Sequence, residues 1–195
     1  RRHGVPEVVM AQSKTVAQCM AIVAAILGRT GRAIVSRVPA ELQDALAEAY
    51  GPEAFEWNAA SRMAIVHRQG YSVAPTGGRV GILAAGTSDQ PIAEQAAIIC
   101  REMGCEVHLA YDVGVAGLHR LVEPLQRFLE EKDVDAIIVA AGMDGALPSV
   151  VSGLVGVPVI GLPTSVGYGM GGKGEAALLS MLQTCAPGLA VVNVD

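Results

Sequence analysis

Short apolar runs alternate with helix-patterned segments from Val80 to the end of the chain, and this alternation limits the fold more than any other feature. The strand-like runs are Val80–Ala85, Glu106–Tyr111, Ala136–Ala140, Pro158–Leu162 and Ala190–Val194. The helical segments between them are about Ile92–Met103, Leu118–Lys132, Leu147–Val155 and Glu175–Thr184. Strand and helix repeated at this spacing predict a doubly wound α/β domain with a mostly parallel five-strand sheet.

The composition favours the same architecture, and a turn-rich segment divides the chain. Hydrophobic residues make up 51% of the 195 residues but aromatic residues only 4%, as in parallel strands covered by helices on both faces. The Pro/Gly cluster at Ser72–Gly78 predicts a small α/β domain over 1–74 and a second domain over 79–195. The predicted elements of the first domain are strand Val8–Met10, helix Thr15–Leu27, strand Ala33–Val38, helix Ala40–Tyr50 and a further helix within Phe55–Gln69.

Charge and hydropathy exclude several classes of protein. A net charge of −5 argues against a general nucleic-acid binder. No apolar run approaches the length of a membrane span, and Arg1–Pro6 lacks the apolar core of a secretory signal. Four cysteines without a CxxC pair are typical of a reducing compartment, so we expect a cytoplasmic protein. A first residue other than Met and a strand-like end are typical of a piece of a longer chain.

The first strand of the second domain runs into Gly86-Thr87-Ser88-Asp89, followed by Pro91. Open parallel sheets bind ligands at such strand-to-helix turns, and a helix N-terminus offers free N–H groups to a phosphate. The simpler interpretation is that Ser88 or Asp89 caps the helix and Pro91 occupies its first turn. Further Gly-rich turns, including Asp112–Gly114, favour a ligand site.

The third strand runs into Gly142-Met143-Asp144-Gly145-Ala146, in which Asp144 is the one ionisable residue. A carboxylate in a small apolar turn predicts a raised pKa and a proton-transfer role. The alternative is a cap for the helix that begins at Leu147.

A long Gly-rich loop, Thr164–Gly174, follows the fourth strand and includes Ser165, Gly167, Tyr168, Gly169 and Lys173. We interpret it as a flexible lid over a phosphate-bearing ligand rather than a static turn, because long Gly-rich loops are often functional. Its Gly-x-Gly-x-x-Gly string follows the wrong strand for a dinucleotide fingerprint, and no ribose-binding acid follows it.

The remaining candidates are weaker. Ser13-Lys14-Thr15 lacks the upstream glycine frame of a nucleoside triphosphate loop, and Thr15 is more simply a helix cap. His67, His108 and His119 pair with no nucleophile pattern, and Cys19, Cys100 and Cys105 fit small core residues. Cys185 stands at a helix C-terminus, which disfavours a thiolate, so the residues alone predict an inert thiol.

Longer motifs carry a family resemblance. Gly81–Pro91, Ala140–Pro148, Pro158–Gly167 and Ala176–Asp195 resemble the fold of PurE, the aminoimidazole ribonucleotide (AIR) carboxylase/mutase. Gly142–Val151, Pro163–Gly169 and Leu178–Cys185 resemble the LarB family more closely, and Gly4–Val9 with Lys14-Thr15 is similar to the opening segment of that family.

The resemblance implies the first step of nickel-pincer nucleotide synthesis. LarB proteins carboxylate C5 of the pyridinium ring of nicotinic acid adenine dinucleotide with CO2 and hydrolyse its phosphoanhydride, with Mg²⁺ and without ATP. The products are AMP and pyridinium-3,5-biscarboxylic acid mononucleotide. The resemblance assigns Cys185 as a covalent nucleophile and, provisionally, Asp144 as the base. Residues implied to bind substrate or phosphate are Gly86, Thr87, Ser88, Asp89, Gly142, Met143, Gly145, Ser165, Gly167, Tyr168, Gly169 and Lys173, with Asp89 a possible metal ligand.

The predicted topology separates these residues. Turns that follow strands share the carboxyl edge of the sheet, whereas Cys185 follows a helix and is expected at the opposite edge. Either a neighbouring chain supplies Cys185, or the chain departs locally from ideal geometry. PurE-like proteins form octamers with shared sites, so we expect a homo-oligomer in which a neighbour supplies Cys185.

Two other functions are alternatives to this one. A purine-pathway carboxylase or mutase carries a proton-shuttling His where this chain has Ala146, and losing such a group costs about 10²–10⁴ in rate. The other alternative is a nucleotide-binding module without catalysis.

Overall fold

A computed structural model describes residues 5–195, which form two compact units divided between Ala74 and Pro75. Gly4 and the residues before it, on which part of the family resemblance and the missing secretory signal rest, lie outside the described residues.

The N-terminal unit is a four-strand mixed sheet with two helices. Its elements are β1 (Val8–Met10), α1 (Val16–Thr30), β2 (Arg32–Ser36), α2 (Ala40–Ala54), β3 (Phe55–Asn58) and β4 (Met63–His67). The strand order is β1-β2-β4-β3, with β1 parallel to β2 and β4 antiparallel to both of its neighbours. Residues of α1, α2 and one face of the sheet form its buried core.

The helix predicted within Phe55–Gln69 is wrong, because this segment is the β3–β4 hairpin. Met63–His67 is an apolar run with the β-branched pair Ile65-Val66, and such a run packs well in a sheet. The Asn58 side chain accepts hydrogen bonds from the N–H and the hydroxyl of Ser61, at 2.9 Å each, and this side-chain turn reverses the chain. Periodicity alone does not separate a short buried strand from a helix.

The predicted helix cap at Thr15 is confirmed. Its hydroxyl accepts a hydrogen bond from the Gln18 N–H at 3.2 Å, and the Gln18 side chain accepts one from the Thr15 N–H at 3.0 Å. This reciprocal pair satisfies two of the N–H groups that every helix start leaves free. Gly31 ends α1 in the left-handed conformation.

The C-terminal unit is a five-strand sheet in which every pairing is parallel. The strands are β5 (Arg79–Ala84), β6 (Glu106–Ala110), β7 (Ala136–Ala141), β8 (Val159–Pro163) and β9 (Leu189–Val191), in the order β6-β5-β7-β8-β9. The helices are α3 (Gln90–Glu102), α4 (His119–Gln126, continued by a π-helical turn to Glu131), α5 (Leu147–Ser152) and α6 (Glu175–Leu182). The predicted doubly wound, PurE-like sheet is therefore confirmed, and it is wholly parallel.

The helices of this unit lie on both faces of the sheet. Ala93 and Ala97 of α3 pack on one face, whereas α4, α5 and α6 pack on the other. Phe128, fully buried, fits against Gly81 in β5, where a side chain would collide with its ring. The small core residues expected from the composition thus allow close approach of helices and sheet.

The last strand is shorter than predicted, since β9 ends at Val191 rather than Val194. The side chain of Asn193 accepts a hydrogen bond from the Val194 N–H at 2.9 Å. The chain nevertheless continues beside β8, where the Asp195 N–H donates to the Pro163 carbonyl at 3.0 Å. The end of this segment therefore lies at the carboxyl edge of the sheet.

Among the described residues, no helix combines the length and the apolar character that crossing a membrane requires.

The contact between Gly81 and Phe128 makes a stability prediction. A Cβ at position 81 would lie 2.5 Å from a carbon of the Phe128 ring, whereas one at Gly156 would meet nothing within 4 Å. We expect Gly81→Ala to lower the free energy of unfolding by about 1–3 kcal/mol because the core is overpacked. The matched control Gly156→Ala is expected to change it by about 0.5 kcal/mol or less. Chemical denaturation measures both, and equal stabilities would contradict this packing.

Candidate active site

The candidate site lies at the carboxyl edge of the parallel sheet, where the chain order reverses. From β5 the chain passes to β6 on one side and then to β7 on the other, so the loops after β5 and β7 diverge. Crevices at such switch points are the usual ligand sites of open α/β sheets. A cleft of about 600 Å³ opens here between the loops that follow β5, β6, β7 and β8.

Eight of the fourteen residues predicted from the sequence line this cleft. They are Gly86, Ser88, Asp89, Gly142, Met143, Asp144, Gly167 and Tyr168. The other six, which do not line it, are Thr87, Gly145, Ser165, Gly169, Lys173 and Cys185. The structure therefore brings together the three predicted turns, but not every residue within them.

Asp89 ties two of the loops together. Its side chain is 5% exposed, and its Oδ1 accepts a hydrogen bond from the Thr164 hydroxyl at 2.5 Å. Its Oδ2 accepts a bond from the Gly86 N–H at 2.9 Å. A buried carboxylate needs such donors to offset its lost hydration. Asp89 thus holds the turn after β5 against the end of β8, and its side chain does not cap α3.

The loops after β7 and β8 are also joined directly. The Met143 N–H donates to the Val166 carbonyl at 2.9 Å, and a Cβ at Gly142 would lie 2.1 Å from that same oxygen. Only glycine fits at position 142 without moving the loop. Met143 itself has a φ of +51°, a left-handed conformation that is strained for a residue with a side chain.

Asp144 is exposed at the rim of the cleft. Its Oδ1 lies 3.4 Å from the Ala146 N–H, so it contributes at most a weak hydrogen bond within its own turn. The helix α5 begins after Ala146 with no side-chain cap. The carboxylate is therefore open to a ligand.

Gly145 has a packing role instead of facing the ligand. It is buried with a φ of +59°, and a Cβ there would lie 2.6 Å from the Ala177 carbonyl oxygen of α6. This close approach brings the turn after β7 onto the helix that precedes Cys185 in the chain.

The Gly-rich loop is anchored by hydrogen bonds at Ser165, and Tyr168 further along it is exposed. The Ser165 N–H and hydroxyl donate to the two oxygens of the Asp195 carboxylate, at 2.8 and 2.6 Å. Tyr168 is 82% exposed and still lines the cleft, while Lys173 is exposed outside it. The cleft therefore has acidic side chains but no cationic one among its lining residues.

Cys185 lies at the other edge of the sheet. It follows α6 and precedes β9, next to a loop where the Pro187 carbonyl accepts the Ser152 hydroxyl at 2.5 Å. The Gly188 carbonyl accepts a hydrogen bond at 3.0 Å from the N–H of Val159, which lies at the start of β8. Amino ends of parallel strands lie opposite their carboxyl ends, so one chain does not bring Cys185 to the cleft.

Exposure distinguishes Cys185 from the other thiols. Cys19 is buried, and burial raises the pKa of its thiol. Burial, with a smaller effect of Cys105, raises the pKa of Cys100 to about 11. Both are poor nucleophiles at neutral pH because the thiolate is the reactive form. Cys185 is the exposed cysteine of the chain.

The sequence pointed to the turn Asp112–Gly114 but missed the two lining residues that follow it and one distant contact. Gly114, Val115 and Ala116, after β6, line the cleft, and a Cβ at Gly114 would lie 2.7 Å from the Ala85 carbonyl oxygen. The glycine in Asp112–Gly114 was the available signal. Asp195 gave no signal, because its contact with Ser165 depends on how the chain runs beside β8.

The described residues do not assemble a protein-held metal site. No group of three or more His, Cys, Asp or Glu side chains among them is placed to hold an ion. Both oxygens of Asp89, the predicted metal ligand, already accept hydrogen bonds from the protein. The donor set thus does not fit Mg²⁺ bound by the chain alone; Mg²⁺ commonly binds through substrate phosphates as well.

Comparison with known proteins agrees with this architecture. Residues 79–195 match the AIR carboxylase family, and residues 1–69 match the LarB/PurE-like N-terminal domain. The chain belongs to the LarB-like family with a PurE-like domain. An uncharacterized protein of Methanocaldococcus jannaschii, MJ0165, is 42% identical over 203 residues, which is 100% of this chain and 75% of the relative.

N5-carboxyaminoimidazole ribonucleotide mutases match a shorter part of the chain at lower identity. The N5-carboxyaminoimidazole ribonucleotide mutase of M. jannaschii is 35% identical over 58% of this chain and 66% of its own length. The Thermotoga maritima mutase is 34% identical over 44% of this chain and 49% of its own length. This family of LarB/PurE-like domains thus includes carboxylases and mutases.

The tie between Asp89 and Thr164 is testable. Thr164→Val keeps the side-chain shape but removes the donor, leaving a fully buried site with one carboxylate oxygen unpaired. We expect a loss of about 1–3 kcal/mol in the free energy of unfolding. Thr164→Ser is the control, because it removes a methyl group yet keeps the hydroxyl. Thermal and chemical unfolding compare the two, and a valine variant as stable as the serine variant would rule out the tie.

Proposed function

We propose that this protein carboxylates C5 of the pyridinium ring of nicotinic acid adenine dinucleotide with CO2 and hydrolyses the phosphoanhydride. The products are AMP and pyridinium-3,5-biscarboxylic acid mononucleotide. One observation carries the choice within the family: Ala146 lines the cleft at the position where the resemblance to purine enzymes implies a proton-shuttling His, and the carboxylate of Asp144 lies in the same turn.

A purine mutase is the second candidate, favoured by the matches to mutases over the C-terminal unit. Its proton shuttle would need an imidazole in the cleft, but no histidine is among the lining residues. His108 lies on β6, 3.1 Å from the Glu106 carboxylate, and His119 begins α4. Neither position supplies the missing group, and this disfavours the purine reaction.

The pyridinium ring needs a nucleophile before it can react with CO2. It is electron-poor, and C5 has no nucleophilic character in the cation. Addition of the Cys185 thiolate at C4 or C6 forms a C–S bond and gives a neutral enamine with electron density at C5. C5 then attacks CO2, a base removes the C5 proton, and the C–S electrons return to sulfur as aromaticity is restored. One difficult step becomes two easier ones.

The residues of the cleft suit the other tasks. Asp144 is open to the ligand and is our proposed base for the C5 proton. The turn Thr87–Asp89 and the start of α3 offer backbone N–H groups, and Ser88 an exposed hydroxyl, to a phosphate. Tyr168, in the projecting loop, would cover the bound ring or ribose, and Lys173 in the same loop would approach the pyrophosphate. No step here passes through a metal ion.

A neighbouring copy is the proposed source of Cys185. Asp144 and Cys185 lie at opposite edges of the same parallel sheet, so a single chain would leave base and nucleophile apart. A symmetric assembly can place the amino edge of one sheet against the carboxyl edge of another. The substrate would then be held between two chains.

The activity is tested by incubating the protein with nicotinic acid adenine dinucleotide, bicarbonate and Mg²⁺ and measuring product masses. We expect a mass gain of one carboxylate on the mononucleotide together with AMP.

Cys185→Ser is expected to abolish carboxylation, and Asp144→Asn to slow it about 10²-fold or more. Cys105→Ser is the matched control and is expected to stay active. Turnover of carboxyaminoimidazole ribonucleotide instead would support the mutase, and binding without product would support a regulatory module.

Mixing two inactive variants tests the shared site. If Asp144 and Cys185 act across a subunit boundary, co-assembled Cys185→Ser and Asp144→Asn chains would regain about a quarter of the sites with both wild-type residues. The control is each variant reassembled alone, which should show no gain over its own residual activity. No recovery in mixed oligomers, with both variants folded and assembled, would contradict delivery by a neighbour.

A further inference from the structure

Three cationic side chains lie at one edge of the N-terminal sheet. Lys14 follows β1 and Arg37 follows β2, and these strands are parallel, so both residues are at their carboxyl ends. Arg62 immediately precedes β4, which runs antiparallel to β2, so it lies at the same edge. Each cation thus comes from a different loop, and the fold is what brings them together.

Short hydrogen bonds connect these loops. The Ala11 N–H donates to the Ser36 carbonyl at 3.0 Å, which joins the Lys14 loop to the end of β2. The Val38 N–H donates to the Arg62 carbonyl at 3.0 Å, which joins the end of β2 to the hairpin. The guanidinium of Arg37 also donates to the Gln12 side chain at 2.9 Å. Hydrogen bonds therefore link the three loops that carry Lys14, Arg37 and Arg62, and these residues form what we call the cationic edge.

Neutral oxygens hold these cations, and no carboxylate compensates them. Lys14 donates to the Met10 carbonyl at 2.7 Å, and Arg62 donates to the Val38 carbonyl at 3.1 Å. Within residues 5–195, none of the three makes an ion pair, in contrast to Arg29, which pairs with Glu7 at 3.7 Å. The acidic residue closest in sequence to Arg37 is Glu41, which is exposed in the first turn of α2. The three charges are oriented yet uncompensated.

The backbone gives a second argument. Arg37 has a φ of +57° and Arg62 a φ of +53°, in the left-handed region where glycine is favoured. Two arginines at positions whose conformation favours glycine indicate that the side chains, rather than the turns, have a use here. Strained residues of this kind cluster at ligand sites.

The charge distribution between the units points the same way. Residues 1–74 have 8 basic and 6 acidic side chains, whereas residues 75–195 have 6 basic and 13 acidic ones. The excess of two is Arg1 and Arg2, so basic and acidic residues balance over 5–74, and the N-terminal unit lacks the net negative charge of the PurE-like unit. The Ser36 hydroxyl, at the end of β2 beside Arg37, is 3% exposed and has no hydrogen-bond partner.

We propose that the cationic edge binds the phosphate group of a phosphate monoester. Two guanidinium groups and an ammonium match a tetrahedral dianion in charge and in hydrogen-bond directions. Ser13-Lys14-Thr15 lies between a strand and a helix, the local setting of phosphate-binding loops, but without the glycine frame that encloses a triphosphate. A single phosphate, free or on a mononucleotide, is the ligand class that fits. This site does not depend on the carboxylation chemistry of the other unit.

The test is calorimetric titration of the whole protein with inorganic phosphate and, separately, with AMP. The informative variant is Arg37→Gly with Arg62→Gly, because glycine relieves the left-handed backbone while it removes both charges. We expect unfolding temperatures no lower than wild type and phosphate binding at least about tenfold weaker. Arg68→Gln, at the opposite edge of the same sheet, is the matched control and is expected to bind phosphate normally.

The outcomes separate this site from the cleft of the C-terminal unit. Lys173→Gln is expected to leave inorganic phosphate binding to the cationic edge unchanged. Tighter binding of AMP than of phosphate would identify a mononucleotide as the source, and equal binding would identify the phosphate group alone. Unchanged phosphate binding in the folded double-glycine variant, or an equal loss in Arg68→Gln, would overturn the proposal, whatever the result of the carboxylation assay.

Discussion

The shared direction of the five strands in residues 79–195 is the constraint on which the site depends. Because every pairing is parallel, every loop that follows a strand ends at one edge, and every loop that follows a helix ends at the other. Four loops thereby line a single cleft. The same rule places Cys185 away from that cleft. An enzyme that uses both would need more than one copy of this sheet.

The buried Asp89 carboxylate gives this edge its definite shape. Removing a carboxylate from water is costly, and the two hydrogen bonds from Gly86 and Thr164 offset that cost only while both loops keep their positions. The loops are therefore coupled, since moving either one would leave a buried charge unpaired. This structural use of Asp89 also separates it from Asp144, whose exposed carboxylate has no comparable partner and can meet a ligand.

The two units differ in net charge and in the groups that they offer to a ligand. The PurE-like unit is acidic and surrounds its cleft with backbone groups and small residues, which suits close approach to a ligand. The N-terminal unit has a mixed sheet, and loops at one edge of this sheet carry the three cationic side chains of the cationic edge. In our two proposals, phosphate is bound by backbone N–H groups in the PurE-like unit and by side-chain charge in the N-terminal unit.

The parallel fold, the family and the three turns of the cleft could be predicted from the sequence, because strand–helix alternation and Gly-rich turns are local patterns. The sequence-based prediction of a helix was wrong where the local pattern was ambiguous. The short buried run Met63–His67 fits a strand or a helix equally well, and its pairing with β2 and β3 makes it a strand. Tertiary structure alone decided that Asp89 is a tie, that Gly145 packs on α6, and that Asp195 reaches Ser165. Each of these depends on contacts between residues more than 25 positions apart, and such contacts are set by how the sheet and its helices pack.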